Sequence, residues 1–299
     1  SKVFFTIPEY EKWRVGKNLK SYKIKYYKGL GTSTAKEAKE YFAKIAEHTI
    51  KFRYQDGQDE AAINLAFNKK LADKRKEWLK TYTTDLYVDH NIKRLRYLDF
   101  VNKELILFSI ADCARSIPSL CDGLKPGARK ILFSCFKRKL KSEIKVAQLS
   151  GYVAEHSAYH HGENSLQQTI VTLAQNFVSS NNINLFLPIG QFGTRNQGGK
   201  EAASPRYIFT NLNPVTRTLY PEPDDAVLDY LEEEGQSIEP NYYLPIIPMA
   251  LVNGAEGIGT GWSTFIPCHN PRSVVENIRR IMKNQPYTPL KPWYKGYMG

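Results

Sequence analysis

The stretch from residue 108 to about 212 constrains the fold most, because its pattern passes from helical to strand-like in one definite order. Three short amphipathic segments, SIADCARSI, PGARKILFSCFKRKL and SLQQTIVTLAQNFV, repeat apolar residues at helical spacing. Pro126 stands near the start of the second, where its missing N–H costs least. Two short strands follow, NLFLPI and RYIFTNL, separated by the loop GQFGTRNQGGKEAASP. Helices followed by a hairpin predict a winged helix, a helix-turn-helix variant that lays one helix in the major groove of a duplex.

Charge points to the partner. The 299 residues carry 42 Lys or Arg against 30 Asp or Glu, a formal +12, which suggests a polyanion such as nucleic acid. Half of that excess lies between 108 and 150, where Arg115, Lys125, Arg129, Lys130, Lys137, Arg138, Lys139, Lys141 and Lys145 face only Asp112, Asp122 and Glu143. The segment 221–240 reverses sign, with Glu222, Asp224, Asp225, Asp229, Glu232, Glu233, Glu234 and Glu239 and no basic residue, so no phosphate backbone is expected along it. The charged run LAFNKKLADKRKEWLK reads either as a solvated helix face or as a phosphate-contacting surface.

The flanks supply further elements. Near the start, VFFTI and SYKIKYY read as strands, and GLGTSTAKEAKEYFAKIAEH as a glycine turn entering a helix capped by Thr32 or Ser33, the pattern of an α/β unit. From 56 to 107 the pattern is helical and charged, as in a connector. After a boundary near 240, apolar and glycine-rich sequence ends in the helix PRSVVENIRRIMK. The longest apolar run, YYLPIIPMALV, is too short and proline-broken to span a bilayer, so no membrane partner is expected. Cys113, Cys121, Cys135 and Cys268 lack zinc-site spacing and read as reduced, buried thiols.

One dipeptide carries chemistry. In KEAASPRYIFT, Tyr207 follows Arg206. A phenol with a pKa of about 10 attacks nothing unaided at neutral pH. An adjacent guanidinium stabilises phenolate, holds a phosphodiester through paired N–H donors and offsets charge in the transition state. From the residues alone, Tyr207 is either such a nucleophile or an ordinary strand tyrosine. Ile258, between glycines in EGIGTGW, is either a buried loop residue or an apolar wedge able to enter a base step. His160 and His161 are unsuited to share one metal ion, because adjacent rings seldom converge and no acid or thiol lies at ligand spacing.

Four strings found in family order resolve these alternatives: YYKGLGTSTAKEAKEYF, RSIPSLCDGLKPGARKILF, AYHHGENSLQQTIVTLAQNFV, and ASPRYIFT with NGAEGIGTGWST. Through them the chain resembles the DNA breakage and rejoining core of eukaryotic type IIA DNA topoisomerases. The resemblance implies an α+β multidomain chain: residues 1–55 as the tail of an α/β Toprim domain, 56–107 as a helical linker, 108–240 as a winged helix with the reactive tyrosine, and 241–299 as the start of an α/β tower domain. It makes Tyr207 the nucleophile that forms a 5'-phosphotyrosyl link, with Arg206, Arg115 and His161 completing the phosphate site. It assigns DNA contacts to Lys28, Lys125, Arg129, Lys130 and the wedge Ile258.

The same resemblance implies double-stranded DNA as substrate, a homodimer, a nuclear location, and Mg2+ and ATP for the intact enzyme. Neither cofactor is expected to find a complete site in this chain. The acidic metal ligands are expected ahead of Ser1, and the glycine strings lack the order of a Walker loop. The alternative reading is a non-catalytic, basic winged-helix module that only binds DNA.

Overall fold

The computed structural model describes residues 2–27, 30–233 and 235–299, and it divides into two compact units, Ser1–Asp112 and Cys113–Gly299. Helices and short two-stranded sheets are mixed throughout. The expected divisions near 55 and 240 each fall inside one of these units.

The first unit turns on an acidic helix start. Helix α1 (Ala35–Ala43) is capped by Thr34, whose hydroxyl oxygen accepts from the Glu37 N–H while Glu37 reaches back to the Thr34 N–H. That capping box moves the cap one or two residues beyond the expected Thr32 or Ser33. Strand β1 (Lys51–Arg53) leads into α2 (Gly57–Phe67) and α3 (Ala72–Lys80), and β2 (Arg94–Arg96) returns parallel to β1 with Phe52 opposite Leu95. At the head of α2, Asp59 is fully buried and accepts N–H bonds from Leu98, at 2.9 Å, and Gln55, at 2.8 Å. Arg96 reaches the same carboxylate at 3.2 Å and Asp56 at 2.8 Å. Burial alone would raise the Asp59 pKa, but the backbone donors and Arg96 outweigh it and hold the group at about 2.

The strands expected at VFFTI and SYKIKYY do not form among the described residues. Thr6 instead caps a helix over Ile7–Arg14, accepting from the Glu9 N–H with Pro8 in the first turn. Residues 22–27 join no ladder, and a lone strand has no partner for its backbone groups. Half of the cations in the charged run at 65–80 are tied up locally. Arg75 donates to the Leu65 and Asn68 carbonyls, while Lys76 and Lys80 pair with Asp73 and Glu77 one turn away.

Helix α4 (Ile106–Ser116) leads into the second unit, whose core is organised by α5 (Pro126–Lys137), with Pro126 at its first position as expected. Strand β3 (Ile144–Lys145) runs directly into α6 (Val146–His156), and α7 (Glu163–Ala174) packs against both α5 and α6. The sequence reading passes over α6. Its Val146, Leu149 and Val153 recur at helical spacing and are fully buried, but Ser150-Gly151 in its middle weakens local propensity, which tertiary packing overrides. Strand β4 (Phe209–Thr210) pairs antiparallel with β3, and isolated bridges Ile189 to Phe209 and Phe186 to Leu212 add the preceding segment on its other side.

The acidic segment folds as a hairpin of β5 (Tyr230–Glu233) and β6 (Gln236–Pro240). Beyond it, β7 (Ala255–Ile258) and β8 (Ser263–Ile266) form a second hairpin, and α8 (Pro271–Met282) closes the unit with Asn270 as its cap. One buried cluster runs from Leu124 through Phe136, Leu149, Leu166, Ile170, Phe186 and Ile208 to Tyr243, Val252 and Val274, so residues on both sides of 240 share one core. The four cysteines form no disulfide; Cys135 and Cys268 are buried as expected, whereas Cys121 is exposed.

Asp122 ties that core together. Its buried carboxylate takes Arg129 in a two-pronged pair, 2.8 and 3.1 Å, and also accepts the N–H groups of Leu124 and Tyr243, each at 2.9 Å. Gly123 beside it lies at φ +71°, and a Cβ there would come within 2.8 Å of the Ala250 backbone. Asp122→Ala leaves the Arg129 guanidinium buried without a counter-charge and is expected to cost about 3–5 kcal/mol. The measurement is a denaturant titration with a lowered midpoint and unchanged slope; a parental midpoint would show that the pair does not hold the core.

Candidate functional site

The turn that carries Tyr207 is held at both ends by one helix. The first N–H groups of a helix have no partner within it. At α6, the Val146 N–H donates to the Ile208 carbonyl and the Ala147 N–H to the Pro205 carbonyl, both at 3.1 Å. Ile208 between turn and wing is 2% exposed, and its Cγ2 would lie 2.9 Å from a Cβ at Gly190, so that glycine lets it seat. With Ile208 inward, Tyr207 points outward at 71% exposure. Arg206 is also exposed, with its guanidinium carbon 5.5 Å from the Tyr207 ring centre. The arrangement offers a solvent-facing phenol beside a fixed cation on a backbone that is anchored on both sides.

A hairpin brings Ile258 toward the helix turn that carries Arg115. Residues of β7 and β8 alternate cleanly: Gly257 is buried, whereas Glu256, Ile258, Ser263 and Phe265 face away exposed. A Cβ at Gly257 would fall 2.2 Å from the Ser116 carbonyl oxygen, and one at Gly259 3.1 Å from Cys113 Cα. The two glycines therefore bring the hairpin onto the last turn of α4, where the Cys113 thiol donates to the Thr260 carbonyl at 3.2 Å. Arg115 lies exposed on that same turn. Ile258, between the glycines, is 77% exposed, which rules out the buried loop isoleucine as its description.

His161 lies exposed in the connection between α6 and α7, edge-on to Tyr159 with ring centres 5.4 Å apart. Lys125 is exposed at the N-cap of α5. Two of the expected DNA contacts are corrected. Arg129 is 6% exposed, and its donors are committed to Asp122 and the Leu124 carbonyl, so it is an architectural residue. Lys130 points inward as well, bonding the Ser157 carbonyl and pairing with the buried Glu239 at 2.8 Å. Both sit on the core-facing side of an amphipathic helix, and charge counting alone does not distinguish sides. Lys28 lies outside the described residues.

What the sequence reading missed are supports: the α6 N–H groups under the tyrosine turn, and the glycines that seat the Ile258 hairpin. The second had a legible signal, since G-I-G at strand period sends both glycines to one face. Among the described residues, no three His, Cys, Asp or Glu side chains gather to hold a metal ion. Among the same residues no helix is long and apolar enough to cross a membrane.

Comparison with known proteins places the chain in a family. Residues 115–299 match the family model for the A-type subunit of DNA gyrase/topoisomerase IV, and residues 1–113 match the C-terminal associated domain of TOPRIM. DNA topoisomerase 2 of Arabidopsis thaliana is 58% identical over 99% of the chain, and DNA topoisomerase 2-alpha of Rattus norvegicus is 57% identical over 99%. The chain spans about a fifth of the length of these relatives, 20% of each. A crystal structure of the Plasmodium falciparum topoisomerase II DNA-binding, cleavage and re-ligation domain superimposes with a TM-score of 0.83 at 56% identity, covering 100% of this chain and 41% of that one.

The hairpin seat is directly testable. Gly257→Ala sets a methyl group against the Ser116 carbonyl and is expected to destabilise the second unit by about 1–3 kcal/mol. Gly127→Ala, where a Cβ meets nothing within 4 Å, is expected to be neutral or mildly stabilising. Equal thermal midpoints for the two variants would remove the seating role from Gly257.

Proposed function

The chain belongs to the DNA gyrase/topoisomerase IV family, on the side of its A-type subunit, and on that premise we propose that it is the DNA breakage and rejoining core of an ATP-dependent type II topoisomerase. The observation that carries the reading is Tyr207, exposed beside Arg206 on a turn pinned by α6. The non-catalytic DNA-binding module is disfavoured, because binding alone gives no reason for a rigidly anchored, solvent-facing phenol paired with a guanidinium.

In this reading the Tyr207 Oη attacks the phosphorus of a DNA phosphodiester. A new P–O bond forms to the 5' phosphate as the bond to the 3' oxygen breaks, releasing a 3'-hydroxyl. The phenol proton passes to a base, a role for which imidazole suits His161, and a proton returns to the leaving oxygen. Arg206 and Arg115 neutralise the charge that gathers on the phosphoryl oxygens. One phosphate ester replaces another, so the step is nearly isoenergetic and reverses when the 3'-hydroxyl attacks. Rejoining therefore needs no separate energy source.

Ile258 enters a base step and bends the duplex, while Lys125, with Lys28, holds the backbone. The finer division follows the sequence pattern: a Toprim tail to residue 55, a linker to 107, a winged helix to 240 and the beginning of a tower domain after it. The β1–β2 ladder joins the first two of these pieces, and the shared core joins the last two. The whole protein acts on double-stranded DNA as a homodimer in the nucleus, with Mg2+ and ATP. The described residues gather no cluster of metal ligands.

Tyr207→Phe in the full-length enzyme is expected to bind DNA with nearly unchanged affinity and salt dependence and to yield no protein–DNA adduct on denaturing trapping. Adduct formation by that variant would sink the assignment. Ile258→Ala is expected to lower cleavage mainly by reducing curvature in a fluorescence bending assay; wild-type curvature would remove the wedge role.

A further inference from the structure

The acidic hairpin β5–β6 offers no surface for a phosphate backbone, because its charge repels one. It nevertheless reaches the end of α6 and the connection that carries His161, directly at two places and through Lys130 at a third. Glu239 pairs with Lys130 at 2.8 Å, and the same ammonium donates to the Ser157 carbonyl. The Gln236 side-chain amide donates to the His156 carbonyl at 3.4 Å. Glu233 Oε1 lies 2.7 Å from His160 Nε2. These contacts fall on the end of α6 and on the connection itself, from residue 156 to residue 160. His161 follows immediately in the chain.

That connection needs outside support. Ala158 is held at φ +48°, the left-handed region that a Cβ disfavours. Residues 158–162 belong to no helix or strand, so regular backbone bonding does not set their direction. The Lys130–Glu239 pair, with its carboxylate buried, fixes the base of the connection, and the half-exposed Glu233–His160 bond fixes its outer end. Orienting one imidazole by a carboxylate constrains the backbone from which the next side chain projects.

We propose that the acidic hairpin is a brace and that Glu233, acting through His160, is a positioning residue for His161 in the transesterification. The inference rests on the strand-transfer reading, in which His161 meets the reacting phosphate. Displacement of a reacting group by about 1 Å can slow a reaction on the order of a hundredfold. Loss of an exposed hydrogen bond alters fold stability little. The brace therefore acts on the rate of bond exchange and leaves DNA affinity alone.

The test measures single-turnover adduct formation and religation in the full-length enzyme, alongside DNA affinity and thermal midpoint. Glu233→Ala is expected to lower both rates on the order of tenfold or more, with affinity and midpoint unchanged. Glu233→Gln keeps an acceptor for His160 and is expected to restore most of the rate. Adding Glu233→Ala to His160→Ala should cost little further, since both remove one bond. Wild-type rates for Glu233→Ala, equal losses in the Ala and Gln variants, or a loss that tracks DNA affinity would each overturn the brace. Tyr207→Phe, run in parallel, separates the two readings: an adduct from that variant defeats strand transfer itself, whereas its absence beside a fully active Glu233→Ala defeats only the brace.

Discussion

The second unit depends on one buried carboxylate. Asp122 meets the guanidinium of Arg129 and two backbone N–H groups, so each of its charged oxygens is fully satisfied without water. Burying a charge is tolerable only under such conditions. The pair joins the turn before α5, α5 itself and the segment at Tyr243. That joined core supports α6 and α7, and the N-terminus of α6 in turn holds the tyrosine turn. The outward direction of Tyr207 is thus a consequence of packing several layers beneath it.

The distribution of charge has two functions that composition merges into one. Nine basic residues crowd 108–150, yet Arg129 and Lys130 are turned inward to Asp122 and Glu239. Lys137, Arg138 and Lys145 lie over the rings of Phe133, Tyr152 and Phe209 while remaining at the surface. The acidic hairpin is the counterpart: Glu239 pairs with Lys130 and Glu233 with His160 of the same unit. The sign of charge that reverses at 221 thus separates a stretch whose cations are partly at the surface from a hairpin that pairs with Lys130 and His160.

Much of the architecture was legible because local rules and packing agree. The proline at the start of α5, the helix after Asn270 and the approach of the NLFLPI segment to Phe209 all follow from pattern and capping. The failures have identifiable physics. VFFTI reads as a strand on side-chain type, but Thr6 and Pro8 favour a helix start. Helix α6 was hidden by Ser150-Gly151, whose poor propensity yields to the burial of Val146, Leu149 and Val153.

The sequence by itself determined the chemistry on offer: a phenol beside a guanidinium, a histidine, exposed cations and an isoleucine between glycines, all in the order of one family. Those identities and spacings are properties of the chain. Only the tertiary structure decided which of them face the solvent. Arg129 and Lys125 are four residues apart on or beside one helix, yet one is buried against Asp122 and the other is open. Direction depends on which residues approach from elsewhere in the chain, such as Tyr243, Glu239 and the Ser116 carbonyl, and local spacing holds no record of them.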